Sequence, residues 1–134
     1  MASKGTEPNW LSRTVLDAIH TDQIREHGGM LGIRDENALE SALIRPQHKW
    51  LYEECTDPAS LAAAYAFGIA RNHPYNDGNK RVALVAMLAF LAINDLDLNA
   101  EDDDVLTTIL ALAAGRIAEA RLAAWLRVRM VSIE

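Results

Sequence analysis

Nine consecutive residues, His73-Pro74-Tyr75-Asn76-Asp77-Gly78-Asn79-Lys80-Arg81, gather an imidazole, a carboxylate, a glycine and two cations directly ahead of twelve uninterrupted apolar residues, 82–93. An imidazole exchanges a proton near neutral pH, which makes His73 a candidate general base toward a hydroxyl. Asp77 is the hard oxygen ligand that Mg²⁺ accepts when it also bridges phosphate oxygens. Asp77-Gly78 is a turn signal, and the apolar run after it reads as a helix. The turn therefore feeds a helix N-terminus, where backbone N–H groups lack partners and the dipole is positive, an arrangement that draws anions and phosphate above all. Gly78 lets a phosphate approach the backbone with no Cβ in the way. Lys80 adds a point charge and Arg81 a bidentate fork. The side chains of Asn76 and Asn79 either order the turn or touch phosphate. Such a set serves phosphoryl or nucleotidyl transfer.

Each piece has a plainer meaning on its own. Asp77-Gly78 is a common link between helices, Asp77 can cap one, His73 before Pro74 can end one, and Lys80-Arg81 can be solvated surface. The joint pattern outweighs these readings, because seven positions specified at about one in twenty each coincide about once in 10⁹ starts.

The stretch resembles the signature of the Fic/Doc family, HPFx(D/E)GN(G/K)R, with Tyr75 where Phe is usual and Lys80 where the nucleotide-transferring Fic members carry Gly. The lysine version is similar to that of the death-on-curing (Doc) toxin branch. The similarity extends through Gly32-Ile33-Arg34-Asp35, Leu39-Glu40-Ser41-Ala42-Leu43, Arg45-Pro46-Gln47, Tyr52-Glu53-Glu54, Thr56-Asp57 and Ile69-Ala70-Arg71, about residues 10–128 in all. It implies an all-α, compact helical bundle of about six helices, with the motif loop at the start of a buried central helix and room for a small flap that lines up a target polypeptide. It also implies ATP and Mg²⁺ as cofactors. His73, Asp77, Lys80 and Arg81 would be catalytic, with Asp77 on the metal; Asn76, Gly78, Asn79, Lys80 and Arg81 would hold nucleotide phosphates.

The elements that must carry this loop can be read from spacing. Ser12 is a plausible N-cap for a first helix, with Val15, Leu16, Ile19 and Ile24 at helical intervals up to His27 and Gly28-Gly29 as its end. His20 and His27, in no metal-spaced pair, read as surface or helix-end residues. Asp35 caps a second helix carrying Ala38, Leu39, Ala42 and Leu43, stopped by Arg45-Pro46. The stretch 47–55 lacks a clear period and is where the flap is expected, with Trp50, Leu51 and Tyr52 either contacting the target or packing in the core. Asp57-Pro58 opens a third helix running to about Asn72 and burying Leu61, Ala64, Tyr65, Gly68 and Ile69. Gly68 implies close contact with a neighbouring helix, here expected to be the fourth, 82–93. The third and fourth helices then form a hairpin with the motif at its tip. Asp95, Asp97 and Asn99 imitate the start of a calcium loop, but Ala100 stands at the sixth position and Leu106 at the twelfth, so that reading fails. The acidic cluster Glu101-Asp102-Asp103-Asp104 suits the start of a fifth helix, which Val105, Leu106, Ile109, Leu110 and Leu112 carry to Gly115. A sixth, 118–130, turns Leu122, Trp125 and Leu126 inward. Residues 1–9 and 132–134 read as loose tails.

At 134 residues the chain suits one domain. Half of it is apolar and only 6% aromatic, which favours close-packed helices. A net charge of −6 without a long basic run argues against direct nucleic-acid binding; only Arg121, Arg127 and Arg129 make a short basic cluster. Cys55 is alone and reads as a small packed or semi-exposed residue and not as a nucleophile. No leader is apparent and the run 82–93 is too short to cross a bilayer, so a cytoplasmic protein is expected.

By resemblance, Lys80 goes with transfer of the terminal phosphoryl to a protein hydroxyl, in relatives a threonine of elongation factor Tu, with arrest of translation. Gly78, where the founding member of the Doc branch has Ala, keeps AMP transfer as the alternative. A phosphate-docking module without catalysis and a metal-dependent nuclease are the remaining rivals. The (S/T)xxxE(G/N) helix of self-inhibiting Fic proteins is not found; the nearest stretch, Ser3-Lys4-Gly5-Thr6-Glu7, runs into Pro8. Restraint is therefore expected in trans, from a Phd-like antitoxin laying an amphipathic helix into an apolar groove.

Overall fold

A computed structural model describes residues 6–133. It contains α1 (Arg13–His27), α2 (Glu36–Tyr52), α3 (Pro58–Asn72), α4 (Asn79–Ile93), β1 (Leu96–Leu98), α5 (Asp102–Ala113), α6 (Glu119–Arg127) and β2 (Met130–Ser132). The all-α class and the six helices are as expected, apart from one small sheet. In it β1 and β2 run antiparallel, with Leu96 opposite Ser132 and Leu98 opposite Met130.

The expected caps are in place. Ser12 accepts from Val15 N–H, Asp35 from Ala38 N–H, and Asp57 from Ala59 N–H with Pro58 at the first helical position. The centre of the bundle, however, is α3 and not α4. Helix α3 packs against α2, α4, α5 and α6 and is buried almost all round, from Leu61 to Ala66 and again from Gly68 to Ala70. Its alanines are what permit this, since small side chains let four helices approach one axis. The more apolar α4 leaves Leu84, Val85, Leu88 and Ala89 half-buried and Ile93 exposed. Close approach at Gly68 is real, but the neighbour is α2: a Cβ there would lie 2.9 Å from Ala42 Cα and Cβ.

Helix α2 does not stop at Pro46. The proline sits buried inside it, and the buried stripe Leu39, Ala42, Pro46, Trp50 keeps a helical period across the ring. A proline there costs about 3 kcal/mol; burial of Trp50, with Trp10 set edge-on to it at 6.4 Å, offsets that. Residues 47–52 are thus helix rather than flap. Trp50 is core, Leu51 and Tyr52 are exposed, and Trp50 shares a cavity with Phe90, Asn94 and Asp95 at the far end of α4 from the motif.

Neither described tail segment is loose. Asn9 N–H donates to Asn94 Oδ1 at 2.8 Å, its side chain donates to the Ile93 carbonyl, and Ile133 N–H donates to the Asp95 carbonyl. Residues 1–5 and 134 lie outside the described residues. Helix α6 ends at Arg127, short of the expected 130, because the chain turns there into β2. Leu122 and Leu126 are buried and Trp125 only partly so. Of the basic cluster, Arg127 pairs with Asp57 at 2.5 Å and Arg129 lies over Trp125 at 4.3 Å. No helix among the described residues is long and apolar enough to cross a membrane.

Candidate active site

Packing of α3 against α4 fixes the hairpin, and the motif forms its tip. Helix α3 ends at His73, whose backbone is left-handed at φ 48°, ψ 59°. Helix α4 begins after Gly78, also left-handed at φ 82°, ψ 10°, a conformation glycine adopts without strain. Among the described residues no side chain caps α4, so the N–H groups of its first turn are free to receive an anion. Between them the Asn79 side chain turns inward: Oδ1 accepts from Tyr75 N–H and Nδ2 donates to the Tyr75 carbonyl, both at 2.9 Å and buried. Asn76 donates from Nδ2 to the Leu31 carbonyl and from its backbone to Gly32. These two side chains order the loop, and the backbone N–H of Asn79 stands at the uncapped start of α4.

A cavity of about 460 Å³ opens at this tip, lined by all seven of the residues singled out from the sequence, His73, Asn76, Asp77, Gly78, Asn79, Lys80 and Arg81, together with Leu106 and Leu110 of α5. That size suits a small-molecule ligand. Lys80 and Arg81 are exposed, and among the described residues neither has an acidic partner. Asp77 Oδ2 accepts from Met30 N–H at 2.7 Å, leaving Oδ1 for a cation. No group of three or more His, Cys, Asp or Glu among the described residues forms a metal cage. One carboxylate fits Mg²⁺ held mainly by phosphates and water, and does not fit an all-protein site. His73 is exposed and lines the cavity, and among the described residues its ring has no hydrogen-bond partner. The arrangement can seat a phosphate chain at the start of α4 and present a proton acceptor to whatever lies across from it.

Four contributors were given no site role by the sequence reading. His20, expected at the surface, is buried: its ring stacks on Tyr75 at 3.8 Å and Nε2 donates to the Asp77 carbonyl at 3.0 Å. It falls on the stripe Leu16, His20, Ile24, spaced by four, and that spacing was the available signal. Tyr75 donates its hydroxyl to Asp17 Oδ1 at 3.0 Å; burial, reinforced by that carboxylate, holds the phenol well above its usual range, so it stays a donor. The third is the segment before α2, which runs alongside the motif. Ile33 bridges antiparallel to Tyr75, and Arg34 and Asp35 N–H both donate to the Pro74 carbonyl. Leu106 and Leu110 line the cavity only because of how α5 docks, which no local spacing reveals.

The model of the Fic/DOC family matches residues 10–91, more than half of the chain and inclusive of the whole motif. The chain belongs to the Fic/DOC family. Among Fic/Doc relatives, it is 33% identical over 117 residues to the "Protein kinase doc" of Escherichia phage P1, a match spanning 87% of this chain and 92% of that one. It is 42% identical over 78 residues to the "Toxin Doc" of Mycolicibacterium smegmatis, spanning 57% of this chain and 59% of that one.

Proposed function

We propose that this Fic/Doc protein is a Doc-type toxin that phosphorylates a serine or threonine hydroxyl of a target protein, elongation factor Tu by resemblance, using ATP and Mg²⁺ and so inhibiting translation. The observation that carries the reading is one cavity in which His73 stands across from an uncapped helix start bearing Lys80 and Arg81. The names of the two relatives, a protein kinase and a toxin, support it.

In this reading the N–H groups of Asn79 and its neighbours, with Lys80 and Arg81, bind the phosphates and take up charge as it builds in the transition state. His73 accepts the proton of the target hydroxyl while its oxygen bonds to the terminal phosphorus and the bond to the ADP oxygen breaks. Asp77 would hold Mg²⁺, which would supply positive charge to offset that of the phosphates. The target lies along 28–34, where Met30, Leu31 and Ile33 are exposed beside the loop. This replaces the flap placement at 47–55.

AMP transfer is the second reading, favoured by Gly78, whose bare backbone leaves the start of α4 open. Incubation with Mg²⁺·ATP and elongation factor Tu, followed by mass measurement of the target, separates one added phosphoryl from a whole nucleotide. His73→Ala should abolish modification and toxicity; a His73→Ala protein that still modifies its target would refute the reading. A Phd-like antitoxin acting in trans completes the proposal, tested by whether the neighbouring reading frame relieves toxicity.

A further inference from the structure

The geometry points to Arg34 as the residue that positions His73, a role that rests on the phosphotransfer reading above. Arg34 lies in the segment before α2, thirty-nine residues from the histidine, yet it holds three consecutive carbonyls at the end of α3. Its Nη2 donates to the Asn72 carbonyl at 2.7 Å, its Nε to the His73 carbonyl at 2.6 Å, and its backbone N–H to the Pro74 carbonyl at 2.8 Å.

These carbonyls need an outside partner. The last carbonyls of a helix lack intrahelical donors and form its negative pole, where a guanidinium is the complementary cap. His73 has further reason to drift. It carries a Cβ at a left-handed position, and Pro74 follows it, which biases a residue toward extended backbone. Such strain persists only where surrounding contacts over-determine it, and it gathers at functional sites.

The planar fork of Arg34 supplies that over-determination. Asp35, the next residue, is fixed as the N-cap of α2, so the fork is anchored from behind. Among the described residues the imidazole has no hydrogen-bond partner of its own, so its aim into the cavity is set by the backbone that Arg34 pins. Lysine reproduces the clamp only in part, because its single ammonium replaces a fork whose Nε and Nη2 reach two separate oxygens. Arg34 does not line the cavity. It is a positioning residue, acting on the proton acceptor and not on the phosphates.

The test compares wild type, Arg34→Ala and Arg34→Lys by target phosphorylation, Mg²⁺·ATP binding, thermal unfolding and the ¹³Cα and ¹³Cβ shifts of His73, which report its backbone conformation. Arg34→Ala should lower kcat on the order of 10²-fold, as expected for a misplaced catalytic group, while the Kd for Mg²⁺·ATP stays within about twofold, the change of a site left intact. The His73 shifts should leave left-handed values, and Arg34→Lys should recover part of the rate. His73 shifts in Arg34→Ala that match wild type overturn the proposal. So does an unchanged kcat, or a loss of nucleotide affinity and thermal stability in step with turnover. Should wild type itself modify nothing, the phosphotransfer reading falls, and the shifts still decide whether Arg34 sets His73.

Discussion

Tyr65 and Tyr75 are both buried phenols, and they do different work. Tyr65 accepts from Leu11 N–H at 3.0 Å, tying the start of the chain to α3, and burial pushes its phenol up to about 12 from an ordinary 10.0. A raised folded-state value means that its contribution is fully present below the unfolded pKa and is lost as pH rises from 10 toward about 12. Wild type should therefore lose denaturant resistance across that alkaline window more steeply than Tyr65→Phe, measured by urea midpoints on either side of it. Tyr65→Phe also orphans the buried Leu11 N–H and should cost about 1–3 kcal/mol at neutral pH. Tyr75→Phe restores the residue usual in the family signature and loses only the bond to Asp17, which keeps Arg13 as its partner at 2.9 Å. A loss of about 1 kcal/mol in the same assay is expected there. At this scale the sequence told chemistry better than placement. The motif residues were legible as a group, since one cavity gathers all seven, and His20 was not, because an imidazole on an apolar stripe can be read either way.

Helices were legible where local signals agree. Ser12, Asp35 and Asp57-Pro58 each announced a start, and each start is where it was expected. Pro46 misled because the rule against proline inside a helix is local, whereas the reason α2 continues is tertiary: Trp50 must be buried one turn further on. Gly68 announced a close approach without naming the neighbour. Its contact with Ala42 makes a prediction for the pair of helices: Gly68→Ala places a methyl 2.9 Å from backbone and should destabilise by about 1–3 kcal/mol. A lowered thermal midpoint with unchanged nucleotide affinity per folded molecule is the expected result. Gly78→Ala should behave otherwise. At φ 82° and with Ile24 Cδ1 3.1 Å away, an added Cβ reshapes the start of α4 itself, so nucleotide affinity should fall more than stability does.

Over the whole molecule, the parts the sequence did not show are those made by distant segments. Strands β1 and β2 are three residues each and pair across more than thirty residues, so neither carries a pattern long enough to detect. The ion pair between Asp57 at the start of α3 and Arg127 at the end of α6 is of the same kind. Partial burial raises the Asp57 carboxyl, but hydrogen bonds from Arg127, Ser60 and Ala59 N–H outweigh it and leave the group below its usual 3.8. A depressed value contributes stability above the unfolded pKa and loses it as pH falls through the folded one. Acid unfolding should thus begin at higher pH in Arg127→Ala than in wild type, followed by far-UV circular dichroism between neutral pH and acid.

Asn76, Asp77, Pro74 and their partners Met30, Leu31, Gly32 and Arg34 make the two segments a single hydrogen-bonded ribbon. In the proposed reaction, an acceptor protein that settled on one of them would bear on the other. Short peptides carrying the right hydroxyl but no flanking residues should consequently react slowly even at saturation, because leverage on the ribbon, and not only grip, is what they lack.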